Sequence, residues 1–179
     1  RSAAGDVIIR MDAHCRFGPR HIPDCVRHLL ESGADNVGGR LVTVPRGETA
    51  VARAIALVMS SRFGVGGSRF RVAGLAGNGE PEWVDTVPYS CYRRDVFDRV
   101  GLFDERLDRS EDAEFHRRMK SYGCRTLFVP SLVSYYYARP NYRSFAAHAL
   151  DNGWWAVLPT RYTGALVVSL RHLVPLAFV

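Results

Sequence analysis

The residues that could do chemistry fall in two places. Asp12, Ala13 and His14 close the apolar run Val7 to Met11, and far downstream Glu111 and Asp112 open a stretch with helical periodicity. A carboxylate and an imidazole at i and i+2 can reach one divalent ion, because residues at a strand's end leave the regular pleat and both side chains can turn to one cleft. Asp112 sits in a first helical turn, where the macrodipole favours the ionised carboxylate by roughly 0.3–1 kcal/mol. An ionised carboxylate can take a proton, so the two groups together describe metal-dependent group transfer. Each also has an ordinary explanation: a strand-end turn for Asp12 and His14, helix capping for the acidic pair. By helical angle Glu111 and Asp112 lie on either side of the apolar stripe Phe115, Met119 and Tyr122. Either could edge a cleft, and spacing does not choose between them.

The elements that would position these groups follow from the hydrophobic pattern. With 179 residues, 47% of them hydrophobic, the chain suits one compact domain. Val7 to Met11 reads as a strand buried on both faces whose carboxyl end delivers Asp12. A turn at Phe17-Gly18-Pro19 leads to a helix from Pro23 through Val26, Leu29 and Leu30. Asn36 to Val44 is a second strand, weakened by Gly38-Gly39, and Thr49 to Ser61 a helix by its 3.6 period. Phe63 to Asp85 reads as one long loop, rich in glycine; Gly64 and Gly66 do not make a dinucleotide fingerprint, since no strand precedes them and the sixth position is Arg69. Arg94 to Val100 forms a short helix closed by Gly101. The helix from Ser110 to Tyr122 takes Ser110 or Asp108 as N-cap and Gly123 as its stop. Strands follow at Arg125 to Val129 and Leu132 to Tyr137.

Asn141 to Leu158 reads as an amphipathic helix carrying Phe145, Leu150, Trp154 and Trp155, and it runs into the apolar tail Ala165 to Val179. Paired tryptophans before an apolar tail fit a membrane interface; an aromatic helix packed on its own domain fits the same letters. The tail is shorter than the roughly 20 apolar residues of a span, so it would be the start of one. The net charge of +6 is almost all arginine, Lys120 being the one lysine. No clustered basic and aromatic platform accompanies it, so no nucleic-acid partner is expected. Cys15, Cys25, Cys91 and Cys124 are irregularly spaced, which indicates neither a zinc site nor a disulfide framework and suits a reducing compartment. No signal-peptide pattern opens the chain.

Order and surroundings strengthen both acidic groups. Gly5-Asp6-Val7-Ile8-Ile9-Arg10-Met11-Asp12-Ala13-His14 is followed by Val84-Asp85-Thr86-Val87, Tyr92-Arg93-Arg94-Asp95-Val96-Phe97 and Val100-Gly101-Leu102-Phe103-Asp104-Glu105. Then come Ser110-Glu111-Asp112-Ala113-Glu114-Phe115, Arg117-Arg118-Met119, Leu127-Phe128-Val129-Pro130 and Tyr135-Tyr136-Tyr137. This ordered series resembles the family 2 glycosyltransferases of GT-A fold, particularly membrane-associated enzymes of exopolysaccharide assembly of the succinoglycan type.

The resemblance implies an α/β chain with a mixed sheet. Residues 1–140 would be the C-terminal part of a GT-A domain, 141–160 an interface helix, and 161–179 the start of a membrane segment. It places Asp12 and His14 where a D-x-D motif holds manganese or magnesium against a donor diphosphate, with Asp112 as catalytic base and Glu111 beside it. Asp85, Tyr89, Ser90, Cys91 and Trp155 would contact substrates. The activity implied is inverting transfer from a nucleotide-sugar donor to a lipid-linked or glycan acceptor, at the cytoplasmic face of the cell membrane. His14 departs from the second aspartate of that motif. Asp151 and Trp154 replace the glutamine and arginine of the Q-x-x-R-W pattern of processive relatives, which speaks against long-chain polymerisation. The family's nucleoside-binding strands would precede Arg1. A chain without them could instead serve as a non-catalytic acceptor-binding scaffold.

Overall fold

The computed structural model describes residues 3–62, 64–65, 68–72 and 79–163. The element order is β1 (Val7–Ile9), β2 (Cys15–Phe17), α1 (His21–Ser32), β3 (Asn36–Val44), α2 (Ala50–Val58) and α3 (Arg69–Val72). It continues with β4 (Glu82–Val84), β5 (Cys91–Arg93), α4 (Asp95–Val100), α5 (Glu111–Ser121), β6 (Thr126–Tyr137) and α6 (Tyr142–Thr163). Parallel β3 and β6 lie at the centre of a mixed, six-stranded sheet. β5 is antiparallel to the start of β3 and carries β1 on its other side. The far edge of β6 is shared, with β4 pairing Thr126–Phe128 and β2 pairing Ser134–Tyr136.

Alternation along β5 divides the core. Cys91 packs with Cys25, Leu29 and Val37 beneath α1, while Tyr92, next in sequence, packs with Val96, Phe115 and Met119 beneath α4 and α5. A third cluster joins Leu41, Ile55 and Tyr136, with Tyr89 and Phe145 against it.

β1 is half-buried rather than covered on both faces, because it pairs with β5 alone and sits at the end of the strand order. The segment expected to be one loop, 63–85, contains α3 and β4 among its described residues. The two strands expected around Pro130 are one, β6, with an irregularity inside it. Its register against β3 jumps from Gly39↔Val129 to Arg40↔Val133, so Pro130, Ser131 and Leu132 bulge out. A bulge accommodates the proline's missing N–H. It also falls where the outer partner of β6 changes from β4 to β2.

Gly38 and Gly39, which weaken β3 on propensity grounds, are required there by crowding. A Cβ on Gly38 would lie 2.5 Å from Val87 Cγ2 and 2.7 Å from the Pro88 carbonyl oxygen. One on Gly39 would overlap the carbonyl of Leu132 in the bulge. Only hydrogen fits on either face.

α5 is held by packing rather than by a cap. Ser110 occupies the expected N-cap position, with φ of 60°, but its side chain makes no cap hydrogen bond. Phe115 and Met119 are buried, each worth about 1.5–3 kcal/mol. That exceeds the ~1 kcal/mol of a cap. Tyr122, expected on the same stripe, is 59% exposed, since the helix ends there and Gly123 (φ +74°) turns the chain away.

The two kinds of glycine separate in experiment. Gly39→Ala should cost at least about 3 kcal/mol in urea unfolding, through overlap with backbone. Gly33→Ala, at φ +67° with open space around it, should cost about 1–2 kcal/mol. Similar losses for both would mean that Leu132 moves aside freely.

Candidate active site

A cleft of about 620 Å³ opens where the β1–β2 turn, the segment Thr86–Ser90, the first turn of α5 and α6 meet. That volume suits a small-molecule site. Asp12, His14, Tyr89, Ser90, Glu111 and Asp112 all line it, so the two acidic groups share one groove.

Arg10 ties those groups together. Its Nη2 is 2.7 Å from Glu111 Oε1, and its Nε is 3.6 Å from Asp12 Oδ1. Burial by itself lowers the pKa of this guanidinium, but Glu111, then Asp112 and Asp12, more than reverse the effect and leave it raised. The guanidinium offsets the repulsion among three carboxylates brought to one place. Asp112 Oδ1 accepts the N–H of Ala113 at 2.8 Å, which orients the group. Further along α5, Arg118 grips both oxygens of Glu114 at 2.8 and 2.7 Å and donates to the carbonyls of Val100 and Leu102 at 2.9 Å each. This fastens the helix to the turn after α4.

The β1–β2 turn is closed by the Cys15 N–H donating to the Asp12 carbonyl at 3.2 Å. Asp12 is half-buried; His14 is exposed and lies edge-on to the Tyr136 ring, centroids 5.6 Å apart. A carboxylate and an imidazole suit manganese or magnesium chemically. Among the described residues, though, no group of three or more His, Cys, Asp and Glu side chains is placed to hold an ion. Asp12 and His14 would supply at most part of a ligand set.

Buried in the lining of the cleft is His116, which the sequence did not single out. Asn36 Nδ2 lies 2.9 Å from its Nε2, and Thr86 Oγ1 lies 3.1 Å from its Nδ1. Ser90 Oγ and Tyr92 Oη are 3.0 and 3.4 Å from Nε2. Burial, only partly countered by Asp112, lowers its pKa to about 4, so the imidazole is neutral.

Three predicted contacts lie elsewhere. Cys91 is fully buried under α1, on the opposite side of β5 from the cleft, and burial raises its thiol pKa to about 12. Strand alternation puts it there: Ser90 and Tyr92 face the cleft, and Cys91 between them does not. Asp85 borders a separate cavity of about 230 Å³ and pairs with Lys120 at 2.7 Å. Trp155 is half-exposed and does not line the cleft, although His148 and Asn152 on the same helix face do. It falls one turn beyond the rim.

Sequence reasoning passed over Arg71, Arg109, Arg139, His148 and Asn152, which line the cleft as well. Arg10 carried a signal, a charge inside an apolar run two residues before Asp12. The others sit in a glycine-rich segment, a turn and a helix where nothing in the local pattern marks them.

Residues 1–101 match the family model described as Glycosyl transferase family 2, more than half of the chain, and the chain belongs to that family. Its mixed α/β sheet fits part of a GT-A fold. It is also similar to the succinoglycan biosynthesis protein ExoA of Rhizobium meliloti (strain 1021), with 31% identity over 137 residues. Those residues are 76% of this chain and 39% of that protein's length, so the chain spans well under half of this relative. The span matched by the family model ends at Gly101. Glu111 and Asp112 therefore join Asp12 and His14 by cleft geometry and through Arg10.

His116 gives the cleft lining a measurable pH signature. Its folded pKa lies below the ordinary value of 6.5, so the unfolded chain binds the proton more readily. The stability this contributes is full above pH 6.5 and drains as pH falls towards 4, by on the order of 3 kcal/mol. Urea unfolding between pH 7.5 and 4 should show this extra loss in the wild type and not in His116→Gln. Parallel pH profiles would contradict a neutral buried imidazole.

Proposed function

We propose that this chain is the acceptor-side portion of an inverting glycosyltransferase of exopolysaccharide or glycolipid synthesis, moving a sugar from a nucleotide-sugar donor to a lipid-linked or glycan acceptor. The observation that carries the proposal is the meeting of Asp12, Arg10 and Glu111 with Asp112 in one cleft. Family membership supports it, as does the likeness to a protein named for succinoglycan biosynthesis.

Asp112 is the catalytic base. Glu111 is engaged by Arg10 at 2.7 Å and has 24% of its side chain exposed, whereas Asp112 is exposed at the cleft with its carboxylate oriented by the Ala113 N–H. In the reaction Asp112 accepts the proton of the acceptor hydroxyl as the oxygen attacks the anomeric carbon. The bond from that carbon to the donor diphosphate breaks, and the sugar leaves with inverted configuration, because a single displacement comes from the opposite face. A divalent ion, manganese or magnesium, held by Asp12 and His14 would supply positive charge to the departing diphosphate. Tyr89 and Ser90 line the cleft and would contact the acceptor.

α6 is the part assigned to the membrane surface. Leu150, Trp154 and Val157 recur at i, i+4, i+7 and are 76%, 67% and 60% exposed, while Phe145 packs inward on the third core cluster. An outward apolar stripe of this kind suits a helix lying in a bilayer interface, which would put the cleft at the cytoplasmic face of the cell membrane. Among the described residues no helix is long and apolar enough to cross a membrane. The expected start of a span, 161–179, lies almost wholly outside the described residues.

In the full-length enzyme, Asp112→Asn should lower turnover by about 10²–10⁴-fold while nucleotide-sugar affinity, measured by calorimetry with manganese, stays unchanged. Glu111→Gln should lower turnover less. Normal turnover by the Asp112→Asn enzyme would remove the base assignment.

A further inference from the structure

Among the described residues, two that are not glycine have a positive φ, Tyr89 at 48° and Ser110 at 60°, and both line the cleft. A tyrosine in the left-handed region persists only where its surroundings over-determine it. For Tyr89 those surroundings are largely β2. Cys15 and Phe17 share one face of that strand by its period of two, and the Tyr89 ring meets both. Tyr89 Oη is hydrogen-bonded to Cys15 Sγ, and the ring stands edge-on to Phe17 with centroids 5.2 Å apart. Arg16, between them, lies instead over the Tyr135 ring, 4.7 Å from its centroid.

The next residue, Ser90, holds the other end of the same turn. The Arg10 N–H donates to the Ser90 carbonyl at 3.0 Å just before the turn, and Cys15 meets Tyr89 just after it. Two consecutive residues thus bracket the segment that carries Asp12 and His14. Ser90 Oγ lies 3.0 Å from His116 Nε2, and His116 is about one helical turn along α5 from Asp112. Direct contacts therefore run from the β1–β2 turn through Tyr89 and Ser90 to the helix that bears Asp112. Cys15 is half-buried and does not line the cleft, so it acts through its neighbours.

We propose that Cys15 is a positioning residue of the transfer reaction, locking the turn with Asp12 and His14 in register with Asp112 through the Tyr89 hydroxyl. The assignment rests on the transferase reading above. It gives Tyr89 a second task, since its hydroxyl is held by the thiol while its ring lines the cleft. Serine offers a donor and an acceptor at position 15, as the thiol does; alanine offers neither.

A double-mutant cycle in the full-length enzyme tests it, with two readouts. One is nucleoside diphosphate release from a panel of uridine, guanosine and thymidine diphosphate sugars; the other is amide exchange followed by mass spectrometry. Cys15→Ala and Tyr89→Phe should each lower kcat about tenfold with the donor KM unchanged, a penalty in keeping with slight misplacement of reacting groups. The double variant should lose no more than either alone. Cys15→Ser should keep kcat within about twofold of the wild type, because the hydrogen bond is restored. In both single variants residues 10–17 should exchange faster while α1 exchanges as in the wild type, a local loosening that general destabilisation does not give. Additive losses would overturn the proposal, by giving the Tyr89 hydroxyl a direct role at the substrate. So would normal kcat in Cys15→Ala, or a Cys15→Ser enzyme as slow as Cys15→Ala. Failure of the transferase reading has a different signature: no release by the wild type from any donor. The exchange arm then decides by itself whether Cys15 holds the turn, and unchanged exchange of residues 10–17 in Cys15→Ala overturns that as well.

Discussion

Two adjacent hydrogen atoms, the side chains of Gly38 and Gly39, set the geometry on which the cleft depends. They let Val87 and Pro88 press on one side of β3 and Leu132 fold over the other. The first approach carries Tyr89 and Ser90 to the cleft; the second makes the bulge that separates the β4-paired half of β6 from the β2-paired half. Since β2 follows directly on the turn bearing Asp12 and His14, the tight crossing at β3 places the residues on both sides of the groove.

Charge is the second constraint. The helix dipole at α5 is worth roughly 0.3–1 kcal/mol to one carboxylate, which does not balance three of them. Arg10 does this from the opposite side of the groove and stays cationic because the acids surround it. The two groups most suggestive of chemistry are therefore coupled: a change at Glu111 reaches Asp12 through one guanidinium.

Legibility in the sequence followed the range of the interaction. α1, α2, α4, α5 and β3 were readable to within a few residues because periodicity, glycine stops and polar starts are local. Asp12, His14, Glu111 and Asp112 each end or begin such an element, and the structure brings all four to one cleft. β2 and β4, three residues each, were not, since they exist only through pairing with β6. The alternation that makes Ser90 a cleft residue turns Cys91 under α1 instead. Arg71 and Arg139 lie in segments without periodicity, and only the fold of the whole chain brings them near His148.

The imidazole of residue 116 has a mechanical consequence. It is fixed at one nitrogen by Asn36 from β3 and at the other by Thr86, with Ser90 and Tyr92 around it, while its own backbone belongs to α5. Those parts form a single stiff wall, and sliding α5 along the sheet would break several buried hydrogen bonds at once. Any breathing that admits or releases a bulky ligand is thereby directed to the opposite wall, where α3 and α6 approach the groove.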